Sequence, residues 1–183
     1  AQVVVIPPSP PVKFWKEELP TETNVLQPVA SLDPAPLATA NIGAGECGRG
    51  DLPRFAELAV DPRFYELRAR ENPDWVFNPA YPPQPVWGWQ GSDGQVTAPG
   101  PTIFAHYGQP VIMRIYNELP QDHVGYGSPE ISTHLHNAHN PSGSDGFPGD
   151  FFSPLKAGPN LTVPGQWRDH FWPNIYAGID QFG

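Results

Sequence analysis

The residues best equipped for chemistry lie at 132–148, STHLHNAHNPSGSDGFP, where half of the chain's six histidines fall between positions 134 and 139. His134 and His136 are two apart, so on an extended strand both imidazoles project from the same side. Two neutral imidazoles converging in this way form half of a site for copper, zinc or iron. His139 follows a turn expected at Asn137-Ala138 and need not share that side. Asp145 stands in a Ser-Asp-Gly turn that can fold back beside the pair.

The elements that must carry these residues are short strands. Residues 131–136 read as one strand, which puts His134 and His136 on one face. Residues 102–106 and 111–116 are β-branched and aromatic runs separated by a glycine-containing turn. In the second run Val111, Met113 and Ile115 face one way, while Ile112, Arg114 and Tyr116 face the other. Residues 86–90 form a short aromatic strand before a GSDG turn at 91–94, and residues 166–172 form a further strand with alternating character. The one helical signal is at 52–71, where Phe55, Leu58 and Ala59, then Phe64, Leu67 and Arg68, repeat the i, i+3, i+4 spacing. Pro62 divides it into two short helices that serve as scaffold. Residues 1–40 are proline-rich and read as an extended arm in polyproline II and related conformations, which Phe14, Trp15 and Leu19 could pin to a core.

Composition narrows the fold. The 183 residues include 26 prolines and 18 glycines, about twice the usual share of the two together. Each internal proline removes a backbone donor and clashes with the preceding helical turn. Helical bundles and doubly wound α/β folds are therefore excluded. Disorder is excluded for most of the chain by 39% hydrophobic and 12% aromatic residues against 16% charged, which leaves a loop-rich all-β domain. The formal charge of −9 offers no basic stripe for nucleic acid or an anionic membrane surface. No run approaches the length of an apolar membrane span. Cys47 is the single cysteine, so neither an intrachain disulfide nor a two-cysteine zinc site can form. An Ala-Gln beginning is what a secretory signal peptidase often leaves, which points to a secreted or periplasmic protein.

Three readings of the histidine cluster compete. In the first, these are ordinary strand and loop histidines of a non-catalytic structural or binding domain. In the second, His134, His136 and His139 belong to a mononuclear zinc hydrolase of the HxHxDH type. Ala138 stands at that motif's aspartate position, which removes its second-metal ligand or proton acceptor. A cupin site fits poorly, because no glutamate follows the HxH at short range. The third is a copper centre. PGPTI at 99–103, GQPVIMRIYNELP at 108–120 and HLH followed by SDGFP at 144–148 together resemble the first cupredoxin domain of multicopper oxidases. The likeness is to the branch of bacterial spore-coat laccase, bilirubin oxidase and phenoxazinone synthase. KFWKEELP at 13–20 is similar to the opening segment of that branch, whereas residues 40–80 have no counterpart.

The resemblance implies an all-β, cupredoxin-like Greek-key barrel with a long Pro-rich N-terminal arm. The arm and its helical insert would occupy 1–84 and the cupredoxin domain 85–183. It further implies a copper-dependent oxidase that takes single electrons from a reducing substrate and passes them to dioxygen, giving water. His134 would bind type 2 copper, His136 one of the type 3 pair, and Asp145 would assist proton delivery. The family has glycine after its HxH; Asn137 stands here, a residue that also tolerates positive φ. Neither Cys47 nor Met113 lies in a type 1 copper context, and the family's second histidine motif would follow the RDHFWPNIYAG segment, beyond Gly183. The remaining copper ligands are therefore expected on a second polypeptide, which makes the chain one part of a two-chain oxidase. Reductants in this family include phenols, bilirubin-like pigments, aminophenols and metal ions, bound beside the type 1 copper and hence mostly outside this chain.

Overall fold

The computed structural model describes residues 24–33, 61–122, 127–146, 151 and 167–175. The expected arm at 1–23 and 34–60, with Phe14, Trp15, Leu19 and Cys47, lies outside them. In 63–75, Tyr65, Leu67 and Ala69 occupy every second position and all three are buried. That period of two makes a strand, β1 (Arg63–Trp75). The helical expectation over 52–71 is thereby overturned where the stretch is described: 63–71 are strand. Phe64, Leu67 and Arg68 do have helical spacing, yet Tyr65, Leu67 and Ala69 in the same stretch fit a spacing of two. Pairing with a strand on each side decides between the two patterns.

Four strands follow, β2 (Gln84–Gln90), β3 (Val96–Thr97), β4 (Val111–Asn117) and β5 (Trp167–Trp172), in one sheet of order β3-β2-β1-β4-β5. β1 runs parallel to β4 and the other neighbours are antiparallel. The described residues contain no α-helix, only a 3₁₀ turn at Ser142–Ser144. This mixed, almost wholly β arrangement is consistent with the expected cupredoxin-like fold. The strands expected at 86–90, 111–116 and 166–172 are β2, β4 and β5. Residues 102–106 make only a bridge from Thr102 to Val25, and of the strand expected at 131–136 only Ile131 makes a bridge, residues 132–135 having no ladder and His136 beginning a turn. β1 is the middle strand, so the sheet draws on residues ahead of position 85.

Register sorts the two faces. Cross-strand partners project from the same side, so Tyr65 and Leu67 of β1 join Val111, Met113 and Ile115 of β4, and Trp172 of β5, in one apolar cluster. On the opposite face Phe64, Ile112 and Phe171 pack with Leu32, and beyond them the face turns polar. Arg114 donates from Nε and Nη2 to the Asp169 carboxylate at 2.8 and 2.9 Å, and its guanidinium lies 3.5 Å from the centre of the Trp167 ring. Both members of the pair are fully buried. Burial pushes the Asp169 carboxyl up, with Arg114 opposing. Burial also works to lower Arg114, but the hydrogen bond and charge of Asp169 outweigh it and hold the guanidinium above its ordinary value. The Tyr116 hydroxyl donates to Glu66 at 2.9 Å, while Arg68 and Arg70 clasp the two oxygens of Glu118.

Residues 24–33 tie the two clusters together. Leu26 N–H donates to Thr102 O, Thr102 N–H to Asn24 O, and Val29 N–H to Phe64 O. Leu26 enters the first cluster and Leu32 the second. In the PGPTI segment a side chain on Gly100 would come within 2.7 Å of the Trp89 Cβ, so glycine is what lets this loop press onto β2.

Candidate metal centre

The histidine segment alternates strictly. Ile131, Thr133 and Leu135 are partly buried, while Ser132, His134 and His136 are exposed. Ile131 and Leu135 pack on the apolar cluster, which aims both imidazoles away from the sheet. The rings of His134 and His136 are 4.9 Å apart between centres and inclined at 67°. The expected pairing of the two imidazoles on one side is therefore present. Approach to this face is set by Asn117 at the end of β4, which donates from Nδ2 to Pro129 O at 2.7 Å and fixes the chain two residues ahead of Ile131.

The turn that carries Asp145 folds back onto the pair. His134 Nδ1 lies 2.8 Å from the Asp145 backbone carbonyl and 3.1 Å from its Oδ1. A carbonyl only accepts, so His134 holds its proton on Nδ1 and keeps the Nε2 lone pair for a metal. Gly146 makes this approach possible. Its φ is +78°, and a Cβ there would sit 2.8 Å from both the His134 Cβ and the Thr133 carbonyl oxygen. The turn itself is locked to β5. Ser144 Oγ accepts from Phe171 N–H at 2.8 Å, Ser144 O from the Trp172 indole at 3.3 Å, and Gly143 O from Arg168 at 2.9 Å. Ser144, 1% exposed, is one of several residues of the site that the sequence did not single out.

Asn137 adopts φ 58°, so the turn after the HxH survives the replacement of glycine. His139 is exposed, and among the described residues no three His, Cys, Asp or Glu side chains come together as a metal site. The three-histidine zinc arrangement is thus not assembled there. Beyond His136 a cleft of about 270 Å³ opens between residues 105–107, 135–138 and 174–175. His106 lines it with His136, and Tyr107 and Ile175 leave it an exposed apolar rim. Asn174, also at positive φ, lines the cleft, donates from its side chain to Gln109 O at 2.7 Å and accepts at its backbone carbonyl from Gly108 N–H at 2.9 Å. His106 could not be connected to His136 from the sequence, since the two are joined by loop packing. His123 lies outside the described residues.

The donor set fits one half of a copper site. Two imidazoles are exposed on one side, one of them has its second nitrogen fixed by an acceptor, and no third ligand stands beside them among the described residues.

No protein-family model matches the chain. Over 120 residues it is 32% identical to a laccase of Bacillus stratosphericus, an alignment that covers 56% of this chain and 22% of that protein. Over 117 residues it is likewise 32% identical to the rice (Oryza sativa subsp. japonica) protein named multicopper oxidase LPR1 homolog 5, covering 56% of this chain and 18% of that one. The chain spans about a fifth of the length of these curated relatives. These similarities relate the chain to the multicopper oxidases.

Proposed function

We propose that this chain supplies His134 to a type 2 copper and His136 to one of a type 3 pair in a laccase-like oxidase, acting with a second polypeptide that completes the cluster and carries the type 1 copper. The observation that carries the reading is the outward imidazole pair with Asp145 against His134 Nδ1. When bound, such a cluster collects single electrons from a small reducing substrate and reduces dioxygen to water. This chain's own residues do three things toward that end. Leu135 and Ile131 anchor the segment so that both rings face out. Asp145 fixes the tautomer of His134 through its carbonyl and, with its carboxylate about half exposed, exchanges protons with solvent beside the site. Tyr107 and Ile175 offer apolar surface next to the histidines, which supports a partner covering this face. Export to the periplasm or the exterior belongs to the same proposal.

The test is denaturing electrophoresis and metal analysis of the protein purified from its source. A 20.1 kDa band with a larger companion and bound copper is expected. A single long polypeptide with copper would keep the oxidase and remove the second chain. A copper-free preparation would contradict both.

A further inference from the structure

The histidine segment raises a question of register. A strand in a ladder has its register fixed by backbone hydrogen bonds, but beyond a single bridge at Ile131 residues 132–135 have no such ladder, and a turn begins at His136. Slipping an extended segment by one residue exchanges its two faces, and here that would turn His134 and His136 into the sheet. The side chains of Ile131 and Leu135 are poor guards against such a slip, because apolar contacts are not directional, and the backbone bridge at Ile131 holds only one end of the segment. Thr133, the central inward residue between them, is different. Its Oγ1 shares a hydrogen bond with Nε2 of His170 on β5. His170 is 2% exposed, pairs across the sheet with Met113 and lies 6.0 Å from the Trp172 ring. The Thr133–His170 contact is made in one alignment, whereas a slip would take the Thr133 hydroxyl away from His170.

We propose that Thr133 and His170 form a register lock, with His170 a positioning residue that keeps both imidazoles of the HxH segment outward. The consequence for copper rests on the reading of His134 and His136 as ligands; the lock itself does not. Two further contacts act on the same segment, the Ser132 hydroxyl on Gly146 O at 3.4 Å and the Asp145 carbonyl on His134. Both come from the exposed side, so neither supplies the inward polar contact.

The test uses the full chain and reads the accessibility of each histidine directly, as its rate of carbethoxylation by diethylpyrocarbonate located by peptide mass spectrometry. In the wild-type chain His134 and His136 react readily and His170 is protected. Thr133→Val should lower the ratio of outward to slipped register roughly fivefold, the change that loss of one net hydrogen bond produces, and so slow His134 and His136. Thr133→Ser, which keeps the hydroxyl, should react as the wild type does. The double variant Thr133→Val/His170→Leu removes the buried polar pair altogether. It should recover thermal stability relative to Thr133→Val while His134 and His136 stay slow, which separates positioning from packing. Unchanged rates in Thr133→Val, or a Thr133→Ser chain as slow as Thr133→Val, would overturn the lock. Copper binding is measured in parallel on the same proteins. A wild-type chain with reactive histidines but no copper in its native assembly would remove the functional reading and leave the lock standing.

Discussion

At the residue scale, the geometry around His134 distinguishes what Asp145 does from what Gly146 permits. The shorter contact to Nδ1 is the carbonyl of Asp145 and the longer one its carboxylate. Asp145→Ala therefore leaves the main acceptor in place, and copper affinity of the native assembly should fall by about tenfold, the lower end for losing an outer partner of a ligand. Gly146→Ala should cost more. It strains a residue at φ +78° and drives a Cβ against His134 and Thr133, which together lower stability by roughly 1–3 kcal/mol. Chemical denaturation and copper titration of the two variants check this order, and an Asp145→Ala assembly weaker than Gly146→Ala would reverse the assignment. His134, His136 and Asp145 were legible because their clue is local: a spacing of two, then a turn. His170 was not, since its partner Thr133 is 37 positions away and only the packing of β5 joins them.

At the element scale, three strands were readable from alternation alone, in 86–90, 111–116 and 166–172. β1 was not, because Phe64, Leu67 and Arg68 mimic a helical stripe within a segment whose buried residues are Tyr65, Leu67 and Ala69. Parallel pairing of β1 with β4 is a non-local event and overrides that local ambiguity. β4 and β5 are in turn coupled by the Arg114–Asp169 pair. Neither charge reaches water, so the pair supports specificity more than stability. Arg114→Met alone should destabilise the chain by about 3–5 kcal/mol, because it strands a buried carboxylate. The double variant Arg114→Met/Asp169→Leu should recover most of that loss. Urea unfolding of the single and double variants measures it; a double variant no better than the single would show that the packing of these strands, rather than the unpaired charge, was lost.

At the scale of the whole molecule, the described residues form one sheet with the His134–His136 pair facing out and an apolar-rimmed cleft adjoining it. As the proposed half-site for copper, the pair would function only when a partner completes it. Tyr107, 59% exposed, stands at the cleft edge beside His136. Tyr107→Asp should weaken association with the proposed second polypeptide while leaving the unfolding transition of the chain within about 0.5 kcal/mol of wild type, as surface changes do. Size-exclusion chromatography of the native assembly reads the first effect and urea unfolding the second. The Pro-rich composition foretold the absence of long helices among the described residues and the weight of the loops. It could not tell that a strand from within the supposed arm is the centre of the sheet.

Whether His134 and His136 hold copper in an oxidase is read from copper content per unit of blue absorbance in the native assembly. His134→Ala/His136→Ala should retain the blue type 1 band, lose cluster copper measured by mass spectrometry, and stop consuming dioxygen with a reducing substrate. Unchanged copper content and unchanged oxygen consumption in that variant would contradict the account.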